Sequence, residues 1–274
     1  MSPPRRRDND AAIRAARQTL RTGQLLGVSF VNLPANTTEP HRPQTPAATP
    51  NNNTAPLSHA IVEPKPPKPA TPPKPQPPNT GTGPKAAALD DLRERYAQDT
   101  TTAAHLIEGW NTIVFHDGDP DAARLMFVGE APGADEDRQG RPFVGKAGQK
   151  LDEMIRAMGL SRDTVYIANI LKVRPPGNRN PTDAETTADG PYLREQIDIV
   201  KPRVIVTLGN PATHYLLDTR APMARLRATL HDYNGIPVSP TYHPAFLLRQ
   251  YTRENRQKVW ADLQLAMSVL NADG

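Results

Sequence analysis

The stretch Arg124-Leu-Met-Phe-Val128 is followed at once by the loop Gly129-Glu-Ala-Pro-Gly-Ala-Asp-Glu-Asp-Arg-Gln-Gly-Arg-Pro-Phe-Val-Gly-Lys-Ala-Gly148. The first segment is short and mostly apolar, which predicts a buried β-strand. The loop combines five glycines with four carboxylates and one aromatic residue, a composition that suits a binding site better than a core. We therefore predict chemistry at the carboxyl end of this strand.

Strands and helices alternate from residue 89 onward. The hydrophobic patterns predict strands at 124–128, 165–171, 203–208 and 236–242, and helices at 147–158, at 183–200, up to residue 217, and at 254–270. This alternation favours an α/β fold, a three-layer α/β/α sandwich around a four-stranded, mainly parallel sheet. Ligands of such sheets bind beyond the carboxyl ends of the strands.

The N-terminal part of the chain has a different composition. About half of the 31 prolines lie between residues 31 and 88, where little apolar surface is available, and we predict a disordered proline-rich linker. Residues 1–30 form a basic segment with a short helix expected over 10–26, and the folded domain is expected at 89–274. We expect this tail to add weak DNA affinity or to present a proline-rich ligand to a protein partner.

The chain contains no cysteine, which excludes disulfides, thiolate nucleophiles and cysteine-ligated iron–sulfur clusters. No apolar segment has the length of a signal sequence or a membrane span, so we expect no membrane contact and a cytoplasmic or nucleoid-associated protein. The net charge of +4 arises in the tail, since residues 89–274 carry more acidic than basic side chains. Binding of a polyanion by the domain must therefore depend on the local placement of cations.

Five ordered segments of the predicted domain form a specific combination. They are Gly129-Glu-Ala-Pro-Gly133, Gly140-Arg-Pro-Phe-Val-Gly145, Val165-Tyr-Ile-Ala-Asn169, Lys172-Val-Arg-Pro-Pro-Gly-Asn-Arg-Asn-Pro181 and His243-Pro-Ala-Phe-Leu-Leu-Arg249. This layout resembles the uracil-DNA glycosylase superfamily, and its family 4 in particular, over residues 117–270. The resemblance implies an enzyme that flips deoxyuridine out of DNA and hydrolyses its N-glycosidic bond, leaving free uracil and an abasic site.

The resemblance implies a uracil pocket formed by Gly129, Ala131, Phe143 and Asn169. Phe143 would stack on the extruded ring, and the carboxamide of Asn169 would accept from N3 and donate to O4 of uracil, a pattern that the edge of cytosine does not match. The residues alone leave two alternatives open. Phe143 could be an ordinary core residue, and Asn169 could be a buried side chain satisfied by backbone groups.

The resemblance also implies three catalytic residues. His243 would donate to uracil O2 as negative charge builds there, and Glu130 would orient or activate the attacking water. Glu136 matches a second acidic position. The alternatives are that the histidine is an ordinary loop residue and that either carboxylate caps a loop by accepting backbone N–H groups.

Two segments are expected to contact DNA. The loop at 243–249 would insert an apolar wedge into the minor groove and place a cation near phosphate, through Phe246, Leu247, Leu248 and Arg249. The loop at 172–181 would contact the DNA backbone through Lys172, Arg174, Asn178 and Arg179. Alternatively, Leu247 and Leu248 begin a buried helix, and the cations are merely solvated.

The chain departs from family 4 at the iron–sulfur cluster. Members hold this cluster through four cysteines, whereas here Val173 and Gly190 occupy two of those positions and the other two, upstream of residue 117, are also absent. We therefore expect no metal and no cofactor, with ordinary packing in place of the cluster.

The mechanism is expected to be simple hydrolysis. Within the matched segments neither Lys146 nor Lys172 occupies the position of a nucleophile, which predicts a monofunctional enzyme that does not cleave the strand. We also expect the protein to be a monomer. Two rival functions remain: a glycosylase of the same fold for another deaminated or mismatched base, and a catalytically silent DNA-repair scaffold.

Overall fold

A computed structural model describes residues 81–272 of the chain. The predictions for the basic segment 1–30 and for the linker up to residue 80 lie outside these residues. Within the described range, no helix has both the length and the apolar character that a membrane crossing requires. Helical structure begins at Pro84, before the boundary predicted at residue 89, because Pro84 starts a helix whose Ala86 and Leu89 are buried.

The elements alternate as the sequence predicts. The helices are α1 (Pro84–Gln98), α2 (Ala103–Leu106), α3 (Ala134–Gln139), α4 (Lys146–Ala157), α5 (Asp183–Val200), α6 (Asn210–Leu217), α7 (Met223–Leu226), α8 (Pro244–Arg249) and α9 (Arg253–Asn271). The strands are β1 (Leu125–Gly129), β2 (Tyr166–Asn169), β3 (Val204–Leu208), β4 (His231–Tyr233) and β5 (Ile236–Thr241). Short 3-10 turns lie at Arg162–Thr164 and Pro176–Asn178.

The strands form one five-stranded sheet in the order β2-β1-β3-β5-β4. The pairs β1–β2, β1–β3 and β3–β5 are parallel, and β4 pairs antiparallel with β5. In the register, Gly129 at the end of β1 lies beside Asn169 at the end of β2. The parallel α/β prediction is confirmed, and the carboxyl ends of the strands bring the predicted site segments to one edge of the sheet.

The predicted count of four strands is one too low. The missing strand, β4, has only three residues and none of them is buried, so it carries no hydrophobic pattern. The sequence feature that indicates this strand is the turn between β4 and β5. Asn234 and Gly235 connect β4 to β5 with φ angles of 52° and 85°, the two-residue turn that asparagine–glycine pairs favour in hairpins.

Alternate residues of β1 face two different apolar clusters, one on each face of the sheet. Met126 and Val128 pack with residues of α1 and α5, whereas Leu125 and Phe127 pack with residues of α4 and α9. Because successive side chains of a strand point to opposite faces, helices cover the sheet on both sides. The three-layer sandwich therefore follows from β1, β2 and β3, which are buried throughout.

Candidate active site

Three predicted pocket residues, Gly129, Phe143 and Asn169, converge with the predicted catalytic residue His243 at the carboxyl ends of β1, β2 and β5. A Cβ atom added to Gly129 would lie 2.3 Å from Oδ1 of Asn169 and 2.5 Å from Cζ of Phe143. The rings of Phe143 and His243 are 5.7 Å apart between centroids, with 34° between their planes. A glycine is therefore required at position 129, where the amide of Asn169 and the ring of Phe143 meet. The imidazole of His243 lies beside them.

The backbone of Phe143 is strained and held. Its φ is 54°, in the left-handed region that a bulky residue rarely adopts. Its carbonyl oxygen leaves no room for a side chain at position 148, because a Cβ on Gly148 would lie 1.8 Å from it. Phe143 is 6% exposed and packs with the apolar cluster of α4 and α9, so its ring has core contacts as well as a face toward the pocket residues.

Arg162 clamps this loop, and the sequence patterns did not point to it. Its guanidinium donates to the carbonyl oxygens of Pro142 (2.6 Å) and Phe143 (3.0 Å), and it is held in turn by Asp117 and Asp152. Asp117 is fully buried and also accepts from Arg141 at 2.9 Å. The clamp joins residues distant in sequence, so no local motif indicated it.

Glu136 holds the same loop from within. Its Oε1 accepts the N–H groups of Val144 and Gly145, both at 2.8 Å, and its Oε2 accepts the N–H of Gly133 at 3.2 Å. These are the contacts of the loop cap that stood as the alternative to a catalytic role. Its carboxylate therefore shapes the loop that carries Phe143, and Glu130 is the better placed of the two acids for chemistry.

Asn169 ends β2 with a carboxamide that is ready for a ligand. The residue is 1% exposed, and its Oδ1 has no hydrogen-bond partner within residues 81–272. A buried acceptor without a donor costs free energy of folding, about 1–3 kcal/mol. The alternative in which backbone groups satisfy this side chain does not hold for Oδ1, which a donor on a bound molecule would satisfy.

The contacts of His243 determine its tautomer. The residue caps the start of α8, where its Nδ1 accepts the N–H of Ala245 at 3.1 Å. Burial, and after it the positive charge of Arg249, lower the pKa of His243 to about 4. At neutral pH the ring is therefore uncharged, with its proton on Nε2 as a donor. Gly209 makes room for it, since a Cβ there would lie 3.1 Å from Cβ of His243.

Glu130 follows β1 directly and is half-buried. Burial raises its pKa above the usual value for a glutamate, and its Oε1 has no hydrogen-bond partner among the described residues. Its main chain is fixed, because its carbonyl oxygen accepts the N–H of Leu171 at 3.1 Å. The neighbouring Ala131 is half-buried against the cluster of α1 and α5. The backbone of Glu130 is therefore held in place, and its carboxylate has capacity to accept from water.

Two residues predicted to contact DNA point inward instead. Lys172 is fully buried, with Nζ 2.6 Å from the carbonyl oxygen of Asn169 and 2.6 Å from Oε1 of Gln196. Leu247 is 3% exposed and packs from α8 into the cluster of α4 and α9, so the alternative of a buried helical residue holds for Leu247. Both assignments to DNA are wrong, since these side chains have no access to a phosphate or a base step.

The other predicted DNA contacts stay at the surface. Leu248 is 45% exposed, Arg249 is exposed, and Phe246 is half-buried with its ring stacked on Tyr242 at 4.5 Å. In the second loop Nε of Arg174 donates to Oδ1 of Asn178 at 2.7 Å. The exposed Arg179 makes a two-pronged contact with the carboxylate of Glu185. This loop is thus held partly by its own cations, and its role at DNA stays a prediction.

The residues present do not fit an iron–sulfur cluster. The chain has no cysteine, Val173 is fully buried in the apolar cluster, and a Cβ on Gly190 would lie 2.1 Å from the hydroxyl of Tyr215. Nowhere in the described part of the chain do three or more potential ligands of the histidine, cysteine and carboxylate types form a metal site. Packing occupies both positions where cysteines were expected.

Hydrogen bonds to a buried carboxylate strengthen this region. Asp189 accepts from the hydroxyl of Tyr96 at 3.0 Å, from the N–H of Ala103 at 2.8 Å and from the N–H of Lys172 at 2.8 Å. One side chain of α5 thereby joins α1, α2 and the loop after β2. Sequence reasoning missed Asp189 because a single aspartate inside a helix normally faces solvent.

Comparisons with known proteins agree with this geometry. A family model described as the uracil DNA glycosylase superfamily matches residues 115–264, which include every pocket residue. A type-4 uracil-DNA glycosylase of Thermotoga maritima is 40% identical over 188 residues, covering 68% of this chain and 96% of that protein. One of Sulfurisphaera tokodaii is 47% identical over 135 residues, 46% of this chain and 61% of that protein. A type-5 uracil-DNA glycosylase of Pyrobaculum aerophilum is 36% identical over 146 residues, 45% of this chain and 62% of that protein.

Proposed function

Because the chain belongs to the uracil DNA glycosylase superfamily, we propose that it is a monofunctional uracil-DNA glycosylase. It hydrolyses the N-glycosidic bond of deoxyuridine in DNA and releases uracil, leaving an abasic site for base excision repair. The observation that carries this function is the pairing of a free acceptor, Oδ1 of Asn169, with a free donor, Nε2 of His243, beside the ring of Phe143.

These groups match the edge of uracil. Uracil presents a donor at N3 and acceptors at O2 and O4, so the amide of Asn169 serves N3 and O4 while Nε2 of His243 serves O2. Cytosine presents an acceptor at N3 and a donor at N4, which would leave the buried amide unpaired. The pocket therefore discriminates through mismatched polar groups and not through size.

The proposed chemistry depends on the charges that develop on the base and on the sugar as the N-glycosidic bond breaks. As the bond to C1′ breaks, negative charge accumulates on the base, and a neutral imidazole donating from Nε2 stabilises it at O2. The sugar becomes positive at the same time. Glu130, with its free Oε1, accepts from the attacking water and offsets this positive charge. Glu136 acts indirectly, since it shapes the loop that carries Phe143.

The base must leave the stack before it can enter the pocket. Leu248 and Arg249 lie exposed on α8, the helix that His243 caps, so a wedge and a phosphate contact are available beside the pocket. The proposed DNA surface extends along the neighbouring proline-containing loop through Arg174, Asn178 and Arg179.

The decisive test is release of free base from oligonucleotides by the purified protein. Uracil release from a deoxyuridine substrate, without nicking of the abasic product, is the expected result. His243→Ala should lower the single-turnover rate by on the order of 10²-fold, the usual cost of one lost oxyanion-type donor. Preferred release of hypoxanthine or mismatched thymine would instead favour the same-fold alternative, and no release from any lesion would favour a silent scaffold.

We also infer that the protein acts as a monomer at the nucleoid or in the cytoplasm, with the N-terminal tail as a tether to DNA or to a protein partner. The basic and proline-rich composition of the tail supports weak, salt-sensitive DNA affinity or a protein partner. Deletion of residues 1–80 preserves α1, whose Leu89 and Leu92 are buried. The shortened protein should keep its turnover and lose only affinity at low salt, which binding titrations over a range of ionic strength would measure.

A further inference from the structure

A buried lysine lies directly behind the amide that reads the base. Lys172 is fully buried, and its Nζ donates to the carbonyl oxygen of Asn169 and to Oε1 of Gln196, both at 2.6 Å. The same ammonium lies 5.5 Å from the centre of the Phe115 ring. Burying an ammonium is costly, and here the lack of solvent lowers the pKa of Lys172 to about 7. Such a residue calls for a reason beyond packing.

The position of β2 at the edge of the sheet supplies one. The N–H of Ile170 donates to the carbonyl oxygen of Gly129, so it points toward β1. Because the peptide bond is planar and trans, the carbonyl of Asn169 points the opposite way, toward the edge where no further strand of the described residues pairs with β2 and an isolated bridge joins Asp117 to Ile167. This carbonyl would be a buried acceptor without a ladder partner, and the ammonium of Lys172 supplies the missing donor.

Helix α5 fixes the lysine itself at both ends. The backbone N–H of Lys172 donates to Asp189 at 2.8 Å, and its ammonium donates to Gln196. Nε2 of Gln196 donates onward to the carbonyl oxygen of Phe115 at 3.1 Å. The orientation of the Asn169 peptide is therefore fixed by contacts to α5 as well as by the neighbouring strand.

We propose that Lys172 is a positioning residue for base recognition, which holds the Asn169 peptide so that its carboxamide meets the uracil edge. Since Oδ1 of Asn169 has no hydrogen-bond partner among residues 81–272, its direction depends on the backbone that carries it. Rotation of that peptide would displace the reading amide. This inference rests on the proposed glycosylase function and adds a residue that does not touch substrate.

Kinetics of Lys172→Met test the idea, with Lys201→Met as the matched control. Lys201 is an exposed lysine between the end of α5 and the start of β3. It therefore lies at the amino ends of the parallel strands, whereas the pocket lies at their carboxyl ends. Lys172→Met should lower kcat by about 10- to 100-fold, the scale of a reacting group displaced by about 1 Å. KM for DNA and its salt dependence should stay within about threefold, whereas the control should change neither. An effect confined to KM would overturn the proposal, because it would mean a direct DNA contact.

A double-mutant cycle separates positioning from general structural damage. In an Asn169→Ala background, the reading amide is gone, so adding Lys172→Met should slow the reaction less than about threefold further. If Lys172→Met costs the same factor in both backgrounds, Lys172 acts through something other than Asn169 and the proposal fails. Gln196→Met replaces Lys172→Met in both measurements if the latter does not fold, since it removes the acceptor that orients the ammonium.

A measurement without turnover distinguishes this proposal from the function on which it rests. The side-chain amide resonance of Asn169, followed by NMR in the free protein, should shift in Lys172→Met and not in Lys201→Met. An unmoved resonance would overturn the positioning role even in an active enzyme. A shifted resonance in a protein that releases no uracil would instead remove the proposed function and leave the structural link between Lys172 and Asn169 in place.

Discussion

Two sets of polar side chains meet near the end of β2 and differ in how their hydrogen-bonding groups are satisfied. The pocket set is Asn169, Glu130 and His243, in which Oδ1 of Asn169 and Oε1 of Glu130 have no partners within the described residues. The support set is Asp189, Lys172 and Gln196, whose oxygens and ammonium make five hydrogen bonds of 2.6–3.0 Å. Unmatched polar atoms cost stability and are available to a ligand, whereas matched ones stabilise the scaffold. The sets also differ in burial, since Glu130 and His243 are half-buried whereas all three residues of the support set are fully buried.

The largest expected effect is on stability, in the support set. Asp189→Ala leaves three buried donors unpaired, which should lower the free energy of unfolding by about 3 kcal/mol or more. Urea unfolding followed by circular dichroism measures this. Asp198→Ala, an exposed aspartate on the same helix, is the control and should change stability by less than about 0.5 kcal/mol. Equal effects of the two substitutions would show that Asp189 is not a structural centre.

The pocket set should show the reverse pattern. Asn169→Ala removes an acceptor that has no protein partner, so the free energy of unfolding should fall by at most about 1 kcal/mol. The rate of uracil release should fall by on the order of 10²-fold, because the amide acts in recognition of the base. Single-turnover kinetics and urea melts of the same preparation give both numbers. If Asn169→Ala instead lost much stability and kept a normal rate of uracil release, the proposed contrast between the pocket set and the support set would be wrong.

The pH dependence should identify Glu130 within the pocket set. Its pKa is raised by burial, so its carboxylate takes up a proton as the pH falls through a value above that of an ordinary glutamate. The rate should therefore fall by about tenfold for each pH unit below this raised pKa, as one essential base requires. His243, with a pKa lowered to about 4, stays neutral over most of that range. Glu130→Gln should be slower and lack this acid limb, and persistence of the limb would assign it elsewhere.

This experiment needs the folded fraction at each pH as its control. Burial lowers the pKa values of both His116 and His243 to about 4, from 6.5 in an unfolded chain. Between these values the unfolded chain binds more protons than the native protein, so stability rises with pH across this window and is lost on acidification. Circular dichroism at each pH separates this loss of folded protein from the titration of Glu130.

The smallest expected effect lies outside both sets, on α8. Leu248→Ala should lower kcat/KM on duplex DNA by about tenfold, since an apolar wedge offsets a few kcal/mol of unstacking at most. On single-stranded DNA, where no stack must be opened, the change should be much smaller. Parallel assays on the two substrates check this. Stability should not change, because Leu248 is 45% exposed, unlike its buried neighbour Leu247.

Local patterns predicted the parts of the protein that depend on neighbours in sequence. The apolar runs indicated β1, β2, β3 and β5, and the glycine-rich loop indicated a site at the end of β1. The pairing of Gly129 with Asn169 follows from parallel strands ending at one edge. Strand β4 was missed because its three residues, none of them buried, show no alternation of apolar and polar side chains. The Asn234–Gly235 turn, however, is typical of a β-hairpin.

The errors share one cause. Lys172 and Leu247 were assigned to DNA from residue type and motif, yet both are buried. Arg162 and Asp189 were not noticed, although each joins several segments. Residue type predicts burial only on average, and a charged side chain is buried where distant segments offer it partners. Such partners cannot be read from a local pattern.

The order of residues alone was enough for the α/β class and the parallel sheet, because hydrophobic periodicity is a local property, whereas the candidate pocket residues Phe143, Asn169 and His243 came from the resemblance of the motifs to the uracil-DNA glycosylase superfamily. The tertiary structure decided which polar atoms remain unmatched, that His243 carries its proton on Nε2, and that Lys172 turns inward toward the Asn169 carbonyl. These features depend on distances between segments far apart in the chain, and hydrogen bonding and desolvation act only once folding has brought those segments together.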